Sequence, residues 1–172
     1  NTAYFFKWGK ETGLQRLLDK KCDYIVLQEV WDSEDRFEDI SNVRNTYFKD
    51  YYFYNYGEFL IFARKEAIIS EKRSTSNGFL SINTTFNGKP LEITSVHLWN
   101  PITNMPRRVN NTFKLIPANI ARATQKKELL EYLSKENKKD VTSIIVGDFN
   151  TMQNGKVIRD IATIQNRRYS FI

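Results

Sequence analysis

Polar and apolar positions change their spacing several times along the chain, and each change marks an element. From Gly9 to Lys21 the apolar residues Leu14, Leu17 and Leu18 recur at helical spacing with charges opposite, which predicts an amphipathic helix. Asp23-Tyr24-Ile25-Val26-Leu27-Gln28-Glu29-Val30 then reads as a buried strand that ends on a carboxylate. Trp31 to Asn45 is polar and irregular, with a short helix expected around Arg36 to Val43. Strand patterns follow in series at Tyr51–Tyr54, Phe59–Arg64, Ala67–Lys72, Phe79–Phe86 and Leu91–His97. Asn87-Gly88, between the last two, is a strong hairpin signal, because Asn and Gly accept the positive φ of a type I′ turn. This series is expected to be antiparallel.

The second half has fewer and longer elements. Trp99 to Pro117 carries three prolines and the Arg107-Arg108 pair, and reads as a long loop. Ala118 to Lys135 reads as a second amphipathic helix, with Ile120, Leu129, Leu130 and Leu133 inward and Lys126, Lys127 and Glu128 largely in solvent. Ser143 to Val146 suits a strand buried on both faces, broken by Gly147. Beyond it, alternation along an extended chain would point Asp148 and Asn150 one way and Phe149 into the core. Lys156 to Ile164 reads as a short helix. No repeat, low-complexity linker or boundary interrupts this order, so residues 1–172 are expected to form a single domain. Helix, strand, several hairpin strands, helix, strand predicts an α/β sandwich: two packed mixed sheets in layers, flanked by helices. A Rossmann fold is not expected, because no Gly-rich turn follows the first strand.

Composition adds three constraints. The chain is 41% hydrophobic and 27% charged, enough apolar material for a sizeable core beneath a polar surface, and no run approaches the ~20 apolar residues that cross a bilayer. One cysteine, Cys22, excludes an internal disulfide framework, and one Cys with one His does not make a zinc site of the usual kind. A single thiol suits a reducing cytoplasm, although secretion stays open because the N terminus looks clipped. The formal charge of +6 favours a polyanionic partner, nucleic acid or an anionic membrane surface.

Three apolar runs end in polar groups: Glu29, His97, and Asp148 with Asn150. Strand ends are rigid platforms, and a hard-oxygen set from two strands suits Mg²⁺ or Mn²⁺. An imidazole is the side chain suited to proton transfer near neutral pH, so His97, the only histidine, suits a general acid or a phosphate contact. Taken singly, each has a plainer reading: a surface acid, a half-buried imidazole, a turn.

Ile25-Val26-Leu27-Gln28-Glu29-Val30, Thr94-Ser95-Val96-His97-Leu98 and Ile145-Val146-Gly147-Asp148-Phe149-Asn150 together resemble three successive signatures of the endonuclease/exonuclease/phosphatase superfamily, which shares the pancreatic deoxyribonuclease fold. Asn1-Thr2, Gly57 with Ile61-Phe62-Ala63-Arg64, and Arg122, Gln125 and Leu129 match further positions of that pattern. The resemblance implies a divalent-metal-dependent phosphodiesterase. Glu29 and Asn1 would hold the metal, Asp148 would orient or deprotonate the attacking water, Asn150 would bind the scissile phosphate, and His97 would contact the phosphate or assist the leaving group. The strand that precedes the Asn in the family and its late Ser-Asp-His triplet have no counterpart in the 172 residues, so a domain core cut inside both family ends is expected. Nucleic acid is the favoured substrate, on charge and on the Arg107-Arg108 loop. Gly57 and Trp99 favour the alternative, a sphingomyelinase- or phosphoinositide-phosphatase-like lipid phosphoesterase with peripheral membrane contact. A catalytically lapsed binding domain is the third reading.

Overall fold

The computed structural model describes residues 10–30, 44–64, 70–73, 75–100, 105–109, 112–116, 118–135, 140–151 and 155–164. The elements are α1 (Lys10–Asp19), β1 (Tyr24–Leu27), β2 (Tyr51–Tyr56), β3 (Phe59–Arg64), β4 (Ser70–Arg73), β5 (Phe79–Phe86), β6 (Lys89–His97), β7 (Met105–Val109), β8 (Thr112–Ile116), α2 (Ala118–Lys135), β9 (Thr142–Asp148) and α3 (Lys156–Thr163). They build a three-stranded sheet in the order β1-β3-β2, a four-stranded sheet in the order β4-β5-β6-β9, and a two-stranded ribbon of β7 and β8. The architecture is the expected α/β sandwich. The three-stranded sheet is antiparallel at both of its pairings rather than mixed. The helix expected around Arg36 to Val43 lies outside the described residues.

Two compact units divide the chain: Asn1–Arg73 with Leu80–Ser95 and Val141–Gly147, and Ser74–Phe79 with Val96–Asp140 and Asp148–Ile172. The first unit is built on the two faces of β3. Because side chains alternate along a strand, Phe59 and Ile61 point to one side and Leu60 and Phe62 to the other. Phe59 and Ile61 pack with Leu80 and Ile82 of β5 and Leu91 and Ile93 of β6, which forms the layer between the sheets. Leu60 and Phe62 join Ile25, Leu27, Phe48 and Tyr51 on the outer face, where Leu17 and Leu18 of α1 cover them. Phe48 and Phe62 stack with ring centroids 4.4 Å apart, and the Tyr51 hydroxyl donates to the Cys22 carbonyl at 2.7 Å. The β5–β6 turn has φ +51 at Asn87 and +74 at Gly88, the left-handed pair that the hairpin signal requires.

In the second unit α2 supplies the core. Leu129 and Leu133 are fully buried and Tyr132 stacks on Phe79 at 5.0 Å. Lys126 reaches Asp160 of α3 at 2.6 Å, and Glu128 accepts the backbone N–H groups of Thr75 and Ser76 at 2.9 and 3.0 Å as well as both hydroxyls. These two charges are therefore engaged rather than solvated. Ile120, expected inward, is 56% exposed, because it precedes the turn at which α2 begins to bury its apolar side.

Two further expectations are corrected. The long loop contains the β7–β8 ribbon, with Arg107 opposite Lys114 and Arg108 opposite Phe113 in register. Backbone pairing needs no apolar alternation, so a ribbon can form where the pattern reads as loop. The run Ser143–Val146 is not buried on both faces. Among the described residues β9 is at the edge of its sheet, and Ile144 is 44% exposed.

Candidate functional site at the ends of β6 and β9

Each described candidate residue sits at or just beyond the end of a strand. Glu29 lies two residues beyond β1 in the first unit, half-buried, with φ +59. A left-handed Glu is costly, on the order of 1 kcal/mol, and persists only where its surroundings hold it. The neighbours on both sides are pinned: Gln28 Nε2 donates to Ser95 Oγ at 3.1 Å, and the Val30 N–H donates to the Glu58 carbonyl at 3.0 Å.

In the second unit β6 and β9 deliver their polar ends together. The Leu98 N–H donates to the Asp148 carbonyl at 2.9 Å, so the residue after His97 is tied to Asp148 itself. His97 is buried, its N–H bonded to the Gly78 carbonyl at 3.1 Å. A donor atom of His97 and a carboxylate oxygen of Asp148 lie within 4.8 Å of one another.

After Asp148 the chain turns rather than continuing extended. Asn150 has φ +44, and its N–H donates to Asp148 Oδ1 at 2.7 Å, a local turn of the kind Asp favours. Gly147, with φ +147, supplies a backbone conformation that side chains rarely adopt. The alternation expected through Asn150 thus stops at Asp148, and Phe149 is half-buried rather than in the core. Asn150 Nδ2 donates to the Leu98 carbonyl at 2.8 Å, which returns the turn to the end of β6.

Two side chains of α2 complete the arrangement. Arg122 donates from Nη1 to the Trp99 carbonyl at 2.6 Å and from Nη2 to the Phe149 carbonyl at 2.8 Å. Burial lowers the Arg122 pKa from its ordinary value, and the Asp148 carboxylate opposes that shift. Gln125 accepts the Trp99 N–H at 2.7 Å and donates to the Ser76 and Asn77 carbonyls at 3.3 and 3.4 Å. The sequence signal for both is their spacing with Leu129 on one helical face. That spacing marks a shared face but does not say that distant carbonyls are the partners. Of the residues expected to form the site, the structure brings together His97, Asp148 and Asn150. Asn1 lies outside the described residues.

The fold is an α/β sandwich that presents carboxylate, carboxamide and imidazole groups where its strands end. The chain belongs to the Endonuclease/Exonuclease/phosphatase family, which it matches over residues 9–170. This family comprises metal-dependent phosphoesterases. Similar solved structures include beta toxin from Staphylococcus aureus in a mutant form with bound magnesium ions (20% identity, 98% of this chain and 67% of that one, TM-score 0.64). Sphingomyelinase C from Streptomyces griseocarneus follows (14% identity, 94% and 64% covered, TM-score 0.62). TDP2 from D. rerio complexed with single strand DNA product is also similar (18% identity, 87% and 56% covered, TM-score 0.58). This chain spans between 42% and 69% of the length of such neighbours. No curated protein matches it in sequence. Among the described residues no helix is long and apolar enough to cross a membrane.

Proposed function

We propose that the protein hydrolyses phosphodiesters of nucleic acid with a divalent cation, Mg²⁺ or Mn²⁺, held by Glu29 with Asn1. The observation that carries this reading is the convergence of His97, Asp148 and Asn150 where β6 and β9 end, in a chain of this family. The donor chemistry fits such a cation: Glu29 in the first unit and Asp148 in the second each offer hard carboxylate oxygens, the donors that Mg²⁺ and Mn²⁺ take. When bound, the cation supplies Lewis-acid polarisation of the phosphate and a template for in-line attack.

The remaining roles belong to the chain. Asp148, its Oδ1 fixed by the Asn150 N–H, is oriented to accept the proton of the attacking water. One N–H of the Asn150 carboxamide is taken by the Leu98 carbonyl. The other is a preorganised donor for an oxygen of the scissile phosphate, where negative charge spreads during the reaction. His97 contacts the phosphate or protonates the leaving oxygen. The formal charge of +6 supports a polyanionic substrate over a neutral one.

A lipid phosphoester, of sphingomyelin or a phosphoinositide, is the second reading, favoured by the likeness to a sphingomyelinase C at a TM-score of 0.62. It would place the protein at a membrane surface without spanning it. The two separate in one assay with Mg²⁺: single-stranded and plasmid DNA and RNA against vesicles of sphingomyelin or phosphoinositide. Turnover of nucleic acid alone supports the first reading, turnover of vesicles alone replaces it with the second, and polyanion binding without any turnover leaves a binding domain.

A further inference from the structure

One guanidinium ties together the two chain segments that follow the candidate site residues. Arg122 Nη1 and Nη2 bond the carbonyls of Trp99, two residues after His97, and Phe149, next to Asp148. The fork is planar and rigid, so two bonds to two carbonyls fix the separation of the segments as well as their attachment to α2. The bond from Asn150 to Leu98 acts on the same two segments and closes the set. Gln125, one turn along α2, holds the Trp99 N–H, so both backbone polar groups of Trp99 are bound to one helix. The segments cannot shift singly without breaking a short, half-buried, charge-assisted bond.

We propose that Arg122 is a positioning residue that sets the spacing of His97 and Asp148 for phosphodiester hydrolysis. This rests on the function proposed above. A lysine keeps the charge but, as a single point donor, cannot reproduce the planar two-pronged bridge. Displacements of about 1 Å in a reacting constellation cost on the order of 100-fold in rate. The effect therefore belongs in kcat, because Arg122 is assigned no contact with substrate.

The test compares Arg122→Lys and Arg122→Met with the unaltered protein. The expected result is a fall in kcat of about 10- to 100-fold in Arg122→Lys, with KM changed less than about 3-fold and near-UV circular dichroism retained. A second readout is independent of turnover. His97 is the only histidine, so a ¹H–¹⁵N spectrum of the imidazole reports it alone. Arg122→Lys should move those resonances and weaken their broadening by titrated Mn²⁺. Absence of hydrolysis by the unaltered protein would defeat the proposed function, and the His97 spectrum would still decide the role of Arg122. Unchanged His97 signals and unchanged kcat per folded molecule, with only a lowered melting temperature, would overturn the proposal and leave Arg122 a plain structural tie.

Discussion

The Asn150 carboxamide donates to the Leu98 carbonyl at 2.8 Å, binding the residue just past His97 to the residue two past Asp148. The same Asn sits at φ +44, a conformation that Asn tolerates better than most residues. Asn150→Asp replaces the donor with a carboxylate facing a carbonyl. It should lower the unfolding free energy by about 1–3 kcal/mol, the range for a half-buried polar group left unmatched. Asn150→Gly keeps the backbone conformation and loses only the hydrogen bond, so its cost should be smaller, about 1 kcal/mol. Urea denaturation of the two variants orders them, and the reverse order would argue against the bond as drawn.

Gly78 shows how closely α2 approaches the segment before β5. A Cβ built there would stand 2.8 Å from Gln125 Cβ and 2.9 Å from its Cγ. Both atoms are near the helix backbone and cannot swing away as a side-chain tip could. Gly78→Ala should therefore cost about 1–3 kcal/mol through overpacking. By displacing Gln125 it should also loosen Trp99, read as a red shift of tryptophan fluorescence.

Much of the architecture could be read from the residues alone. Strands at Phe59–Arg64 and Phe79–Phe86 and the helix at Ala118–Lys135 fall at the expected ends, although within the helix the exposure of Ile120 departs from the apolar face expected. The Asn87-Gly88 turn was evident because its chemistry is local. What escaped is set by distant partners. The β7–β8 ribbon pairs through its backbone, and Pro106 and the adjacent arginines hide it. Ser143–Val146 looks doubly buried because apolarity does not say whether a strand is central or at an edge. Glu29, His97 and Asp148 could be nominated as strand ends, whereas the Arg122 and Gln125 bonds join segments more than 20 residues apart and leave no periodic trace.

Phe62 carries the outer face of the three-stranded sheet. It is fully buried, stacked on Phe48 and edge-on to Tyr51 at 6.4 Å. Phe62→Ala should remove about 3–5 kcal/mol of stability through lost transfer energy and the cavity left behind. Thermal or urea denaturation measures this, and a loss below about 1 kcal/mol would contradict the packing described.

The Lys126–Asp160 pair gives an acid-side signature. The hydrogen bond from Lys126 lowers the Asp160 pKa from its ordinary 3.8. A carboxyl with a depressed folded pKa binds protons more readily when unfolded, so its contribution is complete above the ordinary value. It is lost as pH falls through the lower folded one. Asp160→Asn should therefore reduce stability at neutral pH and flatten its decline below about pH 4. The side chains are 24% and 33% exposed, so the effect is modest and should shrink in high salt.

The proposed phosphodiester hydrolysis depends on a divalent cation and on Glu29. The most direct measurement is the rate of nucleic-acid cleavage in Mg²⁺, in chelator, and in Glu29→Ala. The expected result is cleavage that chelator abolishes, that returns with Mg²⁺ or Mn²⁺, and that falls at least about 1,000-fold in the folded Glu29→Ala protein. Cleavage that persists in chelator, or that survives the loss of the Glu29 carboxylate, would contradict it.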